Sequence, residues 1–155
     1  PLSLRELEDL GPNELAELTN LQRTSTRNGI RKSDAVLRHC QLFRESKVEN
    51  LEQAIELMAD DEPFSKLDRA LRSIPGEGSY GVRRGYLWML IGNDDLIKPD
   101  RMVLRWFEKH GLKTDPDGAR NTIAALVSKV RLADGRRPSA WEIDHAIWLA
   151  TRKKR

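Results

Sequence analysis

A glycine-rich segment between two helical stretches is the part of this sequence that best suits an anion. Pro75, Gly76, Gly78 and Gly81 separate two patterns of apolar residues at helical spacing. Glycine adopts positive φ and has no side chain, so backbone N–H groups can point outward at the start of a helix whose dipole favours negative charge. The segment predicts a phosphate site. A plain turn between helices is the alternative, since the pattern is not a dinucleotide fingerprint.

A carboxylate at the start of the next helical pattern is the second candidate for chemistry. The Lys98-Pro99 pair keeps the chain extended up to Asp100, after which apolar residues recur at helical spacing as far as His110. An aspartate in a pocket can stabilise a cationic transition state or activate water. The same residue is also a good helix N-cap, which explains its presence without any catalysis.

Basic and aromatic side chains surround both candidates. They could neutralise phosphate groups, although solvated helix faces explain the basic ones equally well. Tyr80, in the first turn after the glycines, is the candidate to contact a flipped nucleotide. The three histidines do not have the spacing of metal ligands, so no metal site is predicted. The basic residues of this region are Arg83, Arg84, Lys98, Arg101 and Arg105.

The elements that must position these residues are all predicted to be helices. Apolar residues recur at helical spacing along the chain, and no stretch alternates as a strand would. Capping boxes at Ser3/Glu6 and Ser139/Glu142, and a cap at Asn50, mark helix starts. Gly11-Pro12 is predicted to end the first helix before another over 13–22; further helices are expected over 64–73 and 79–91. The length of 155 residues predicts one helical domain, 1–155, with a hairpin at 74–81.

Composition excludes several classes of protein. No apolar run reaches the roughly 20 residues of a membrane span, and the sequence begins without the pattern of a secretory signal, so we expect a cytoplasmic protein without a membrane partner. The single cysteine, Cys40, excludes an internal disulfide and any Cys-rich zinc or four-Cys iron–sulfur site within this chain. The net charge of +3 is small, but acidic and basic stretches alternate along the sequence.

The order of these motifs resembles the helix-hairpin-helix DNA glycosylase superfamily, the endonuclease III family in its broad sense. The resemblance covers residues 64–111 and consists of Ile74-Pro-Gly-Glu-Gly, a helix ending at Gly92, and Lys98-Pro-Asp100. It implies an all-α, glycosylase-like helical domain that binds duplex DNA. It also implies that Asp100 is the catalytic carboxylate and that the hairpin holds phosphate, with room for a monovalent cation.

Two departures from the family narrow the expected activity. Tyr80 stands where bifunctional members have the lysine that forms a Schiff base, and the cluster-binding tail is absent. The resemblance therefore implies a monofunctional DNA glycosylase, a hydrolase of base excision repair that cleaves an N-glycosidic bond. The chain is short for the family, which leaves open whether an N-terminal segment or a partner chain completes the pocket.

The alternative is a non-catalytic DNA-binding or interaction module with the same fold. The glycosylase hypothesis places Tyr80 in the substrate pocket, whereas the module would have kept the fold and lost the pocket. The residues expected to contact DNA are Gly76, Gly78, Ser79, Gly81, Arg83, Arg84, Lys98 and Arg101.

Overall fold

The computed structural model describes residues 3–77 and 80–152, and the regular elements in these ranges are helices. The all-α prediction is therefore confirmed for the described part of the chain, in which the one isolated β-bridge pairs Arg23 with Arg31. None of the helices in this part is long and apolar enough to cross a membrane. The helices are α1 (Leu4–Leu18), α2 (Lys32–Glu45), α3 (Leu51–Met58), α4 (Asp61–Leu71), α5 (Val82–Ile91), α6 (Arg101–Lys109), α7 (Pro116–Lys129) and α8 (Ala140–Arg152).

The chain forms two compact units, Pro1–Ser79 and Tyr80–Arg155. In the first unit, α1 packs along α2, and both α2 and α3 contact α4. Leu67 and Leu71 of α4 are each only 1% exposed and lie at helical spacing. Burying a leucine side chain fully contributes about 1.5–3 kcal/mol, so α4 is a principal source of stability for this unit.

The second unit contains the helices that carry most of the candidate functional residues. Both α7 and α8 pack against α6, and they also contact each other. Trp88 of α5 is 1% exposed, as expected of a core residue rather than of a ring that stacks on a base. The buried cluster of this unit consists of Ile97, Val103, Phe107, Ala119, Ile123, Ala140 and Ile147.

The helix ends follow local capping chemistry. Glu6 N–H donates to the Ser3 hydroxyl, and the Glu6 carboxylate accepts from Ser3 N–H, which completes the first capping box. Ser139 and Glu142 exchange the same pair of bonds at the start of α8. Asn50 accepts from Gln53 N–H at the start of α3. These three predicted caps are confirmed.

Three predicted boundaries are wrong. The break predicted at Gly11-Pro12 is present, since Gly11 has a non-helical φ of 71° between two helical segments that together form α1, but the second segment ends at Leu18 rather than at residue 22. The fourth helix begins at Asp61 rather than residue 64, since Pro63 lies in the first turn, where a missing N–H costs nothing. The fifth begins at Val82 rather than residue 79, after Gly81 in a left-handed conformation.

Candidate nucleic-acid interface

The first half of the hairpin is a tight turn in the first unit. Glu77 N–H donates to the Ile74 carbonyl at 3.4 Å, and Gly76 between them has φ of +96°. Proline followed by a glycine of positive φ is the signature of a type II turn. The buried Thr24 hydroxyl donates to the Pro75 carbonyl at 2.8 Å, which ties the turn to the loop before α2. Gly78 and Ser79, two predicted phosphate contacts, lie outside the described residues.

The second half of the hairpin begins the second unit and leads directly into α5. Gly81 is the N-cap residue with φ of +61°, and the cap has no side-chain acceptor. A Cβ at Gly81 would lie 2.9 Å from Nη2 of Arg84, so the guanidinium of Arg84 lies over the cap. The Tyr80 carbonyl accepts from Nη2 of Arg120 at 2.6 Å, while the Tyr80 side chain is 44% exposed. Its ring is therefore accessible at the start of α5.

The start of α5 lies next to the segment that leads to Asp100. A Cβ at Gly85 would lie 3.8 Å from the Ile97 carbonyl oxygen, an ordinary contact distance, so this turn of α5 lies beside Ile97. Nζ of Lys98 lies 3.9 Å from the centre of the Tyr86 ring, which is a cation–π contact. Tertiary packing thus brings α5 and Lys98 together. Gly76 belongs to the other unit.

Asp100 acts as the N-cap of α6. Its Oδ1 accepts from the backbone N–H groups of Met102 at 2.7 Å and Val103 at 3.2 Å. This geometry satisfies two donors that a helix start otherwise leaves unpaired. The capping interpretation of Asp100 is confirmed, and a catalytic role remains a prediction.

A second carboxylate, which the sequence analysis did not single out, lies near Asp100. Asp144 of α8 has a pKa raised from 3.8 to about 6, chiefly by burial and also by the negative charge of Asp100; Lys98 N–H donates to it and partly opposes the rise. Its Oδ1 is buried and has no hydrogen-bond partner among the described residues. Asp100 and Asp144 are therefore a carboxylate pair in which the charge of Asp100 raises the pKa of Asp144.

A cleft of about 820 Å³ lies between α6 and α8, within the second unit. The rings of Trp106 on α6 and of His110, the C-cap residue of α6, have centres 4.2 Å apart. The Arg152 guanidinium lies 4.4 Å from the centre of the Trp148 ring on α8. This cleft was not predicted from the sequence. The residues that line it are Met102, Arg105, Trp106, Lys109, His110, Trp148, Ala150, Thr151 and Arg152.

The signal that could have found the cleft is a stripe along α8. Trp141, His145, Trp148 and Arg152 are spaced so that they share one face of a helix. In the structure the first three rings stack in order, with centres 5.2 and 5.6 Å apart. Trp141 is 41% exposed, so this is a surface row of aromatic rings rather than a core stripe.

Charge is distributed unequally between the two units. The sequence of the second unit has 16 lysines and arginines against nine aspartates and glutamates, a net charge of +7. The first unit has 11 basic against 15 acidic residues, a net charge of −4. Arg83 and Arg101 of the second unit are exposed near the starts of α5 and α6. Within the described part, His, Cys, Asp and Glu form no group of three that could hold a metal ion.

Comparison with known proteins places the chain in a family. The model of the family described as "Domain of unknown function (DUF8548)" matches residues 3–152, and the chain belongs to that family. No curated protein and no solved structure matches the chain.

Proposed function

We propose that this member of the DUF8548 family is a DNA-binding protein that uses its second unit to contact backbone phosphate. The observation that carries the proposal is the net charge of +7 on that unit, in a chain whose overall charge is only +3. A protein that neutralises phosphates releases condensed counterions, so a basic surface of this kind gains affinity for a duplex without reading its sequence.

The proposed phosphate contacts centre on the starts of α5 and α6. Arg83 and Arg101 are exposed there, and Lys98 lies between them in the sequence, held over Tyr86. The resemblance to helix-hairpin-helix proteins adds Gly81, the N-cap residue of α5, to this proposed surface. Arg84, whose guanidinium lies over Gly81, is proposed to contact phosphate at the edge of the same surface.

The test is the salt dependence of binding to a fluorescently labelled duplex. If four or five basic residues contact phosphate, log K falls with log salt concentration with a slope of about −4, near 0.9 per contact. Arg83→Gln and Arg101→Gln should each reduce this slope by about 1. Arg38→Gln, on an exposed position of α2, makes the same charge change in the first unit and should leave the slope unchanged. A flat salt response of the parent would refute DNA binding.

Monofunctional DNA glycosylase activity is the second candidate function, and the carboxylate pair favours it. Asp100 uses Oδ1 for capping, and no hydrogen bond occupies its Oδ2 among the described residues. In the reaction, the bond between C1′ and the base nitrogen breaks, and the base leaves with the bonding electrons. The Asp100 carboxylate stabilises the cationic sugar and takes a proton from the water that bonds to C1′.

The Asp100→Asn variant distinguishes the glycosylase hypothesis from that of a non-catalytic module. Asparagine caps a helix about as well as aspartate but carries no charge, so the variant should bind duplex normally and release base at least about 10²-fold more slowly. The assay uses a panel of damaged-base duplexes with and without alkali, since a monofunctional enzyme leaves an abasic site that only alkali converts to a break. Failure of the parent to release any base would establish the module instead.

A further inference from the structure

We propose that the cleft between α6 and α8 binds an unpaired nucleobase, with the adjoining phosphates on the basic side chains at its rim. This inference rests on the proposed function, because it names the form of nucleic acid that the second unit accepts. It concerns a site whose lining residues belong to α6, its C-cap and α8 and not to the hairpin.

The aromatic content of the cleft is the first line of evidence. Trp106 and Trp148 lie on different helices and both contribute to its lining. His110 extends the Trp106 side, because its ring centre lies 4.2 Å from that of Trp106 and its Nδ1 lies 2.7 Å from the Trp106 carbonyl oxygen. Base stacking on such rings tolerates any sequence, since every base has a π face.

The charge of the lining is the second line of evidence. Arg105, Lys109 and Arg152 contribute to the wall, and none of the nine lining residues is acidic. Arg152 stacks on Trp148, so one side of the cleft offers a flat ring and a cation within 4.4 Å of each other. A nucleotide matches this lining, because it supplies a π face for the rings and an anion for the Arg105 and Arg152 side chains.

Size and position agree with this occupant. The volume of about 820 Å³ lies within the range of about 300–1,000 Å³ that is usual for sites of small organic ligands. Stacked rings continue along α8 from Trp148 to His145 and Trp141. A single strand leaving the cleft could follow this row, as strands follow rows of aromatic side chains in other single-strand binders.

The experiment uses the full chain and a single-stranded oligonucleotide of about ten nucleotides that carries one 2-aminopurine, a base whose fluorescence falls when it stacks. A duplex of the same length is measured in parallel by anisotropy. We expect the 2-aminopurine signal to be quenched by the parent. Trp148→Leu should weaken single-strand binding about tenfold or more and remove the quenching, whereas Trp148→Phe, which keeps a ring, should retain most of both.

Two further variants keep the test independent of folding. Arg105→Gln, at an exposed position of the cleft, should weaken single-strand binding severalfold without disturbing the core. Arg137→Gln, an exposed charge change in the second unit but outside the lining, should have little effect on quenching. Circular dichroism and thermal unfolding verify that each variant is folded.

The outcomes separate this inference from the proposed function. If duplex binding shows the expected salt slope but the cleft variants leave single-strand binding and quenching unchanged, the cleft site is refuted and DNA binding stands. If neither form of DNA binds, both proposals fail. Equal displacement of the oligonucleotide by polyglutamate at matched charge would also refute a base site, because it would show a surface that accepts any acidic polymer.

Discussion

Neutralising Asp144 should stabilise the protein above pH 6. The pKa of this carboxyl is raised from 3.8 to about 6, first by burial and then by the nearby charge of Asp100. At about 1.36 kcal/mol per pKa unit the shift corresponds to about 3 kcal/mol. Because the residue is only partly buried, solvent screening reduces the expected cost of its charge to about 1–2 kcal/mol.

The sign of the effect follows from proton binding in the two states. Between about pH 4 and pH 6 the folded protein holds a proton on Asp144 that the unfolded chain has lost, so the free energy of unfolding falls as pH rises through this window. Above pH 6 the Asp144 carboxyl is charged in the folded protein, which then bears the full free-energy cost of that charge. The Asp144→Asn side chain cannot ionise, so the free energy of unfolding of this variant lacks the decrease between pH 4 and pH 6. The amide occupies the same partly buried position as the carboxyl.

The measurement is urea unfolding of the parent and Asp144→Asn at pH 4 and pH 7.5, followed by tryptophan fluorescence. The stability of the variant relative to the parent should increase by about 1–2 kcal/mol from the lower to the higher pH. Asp95→Asn, which removes an exposed charge in the same unit, should change by less than about 0.5 kcal/mol. A pH-independent difference between parent and Asp144→Asn would refute the reasoning.

Three other predictions concern the two units separately. The pKa of Glu142 is lowered to about 2, chiefly by its bond to Arg136, so Glu142→Gln should lower the thermal midpoint at pH 7 by an amount that shrinks as pH falls from 4.5 towards 2. Leu67→Ala should cost about 2–5 kcal/mol in urea unfolding, whereas Leu18→Ala, at a position 65% exposed, should cost less than about 0.5 kcal/mol; equal losses would contradict the packing of α4. Asp100→Ala should lower the free energy of unfolding by about 0.5–2 kcal/mol, and Asp100→Asn should lower it much less. A similar decrease for both variants would show that the start of α6 requires the charge of Asp100 rather than its capping bonds.

Helix starts were predictable from the sequence because capping is local. The Ser3/Glu6 box, Asn50 and the Ser139/Glu142 box each use groups within one turn of the helix, so their bonds are available to any chain with that spacing. The N-cap at Asp100 was predictable for the same reason. The proline before Asp100 and the helical pattern after it are sufficient to predict that this aspartate caps α6.

Glycine and proline positions were predicted correctly as interruptions, but the ends of the neighbouring helices were not. Gly11-Pro12 interrupts the helical backbone as predicted, since Gly11 has a non-helical φ of 71°, but the segment that follows ends at Leu18 rather than at residue 22. Pro63 similarly lies inside a helix that the pattern placed after it. The local conformation of such a residue is predictable, whereas the exact end of the neighbouring helix depends on what the adjoining residues can bury.

The sequence by itself determined the all-α class and the caps, since each depends on periodicity or on neighbours within a turn. Only the tertiary structure brought Asp144 near Asp100 and placed Trp106 and Trp148 on one cleft. These pairs are about 40 residues apart along the chain. Their proximity comes from the packing of α8 on α6, whose register is decided by the shapes of many buried side chains at once and is not encoded in the spacing of any one motif.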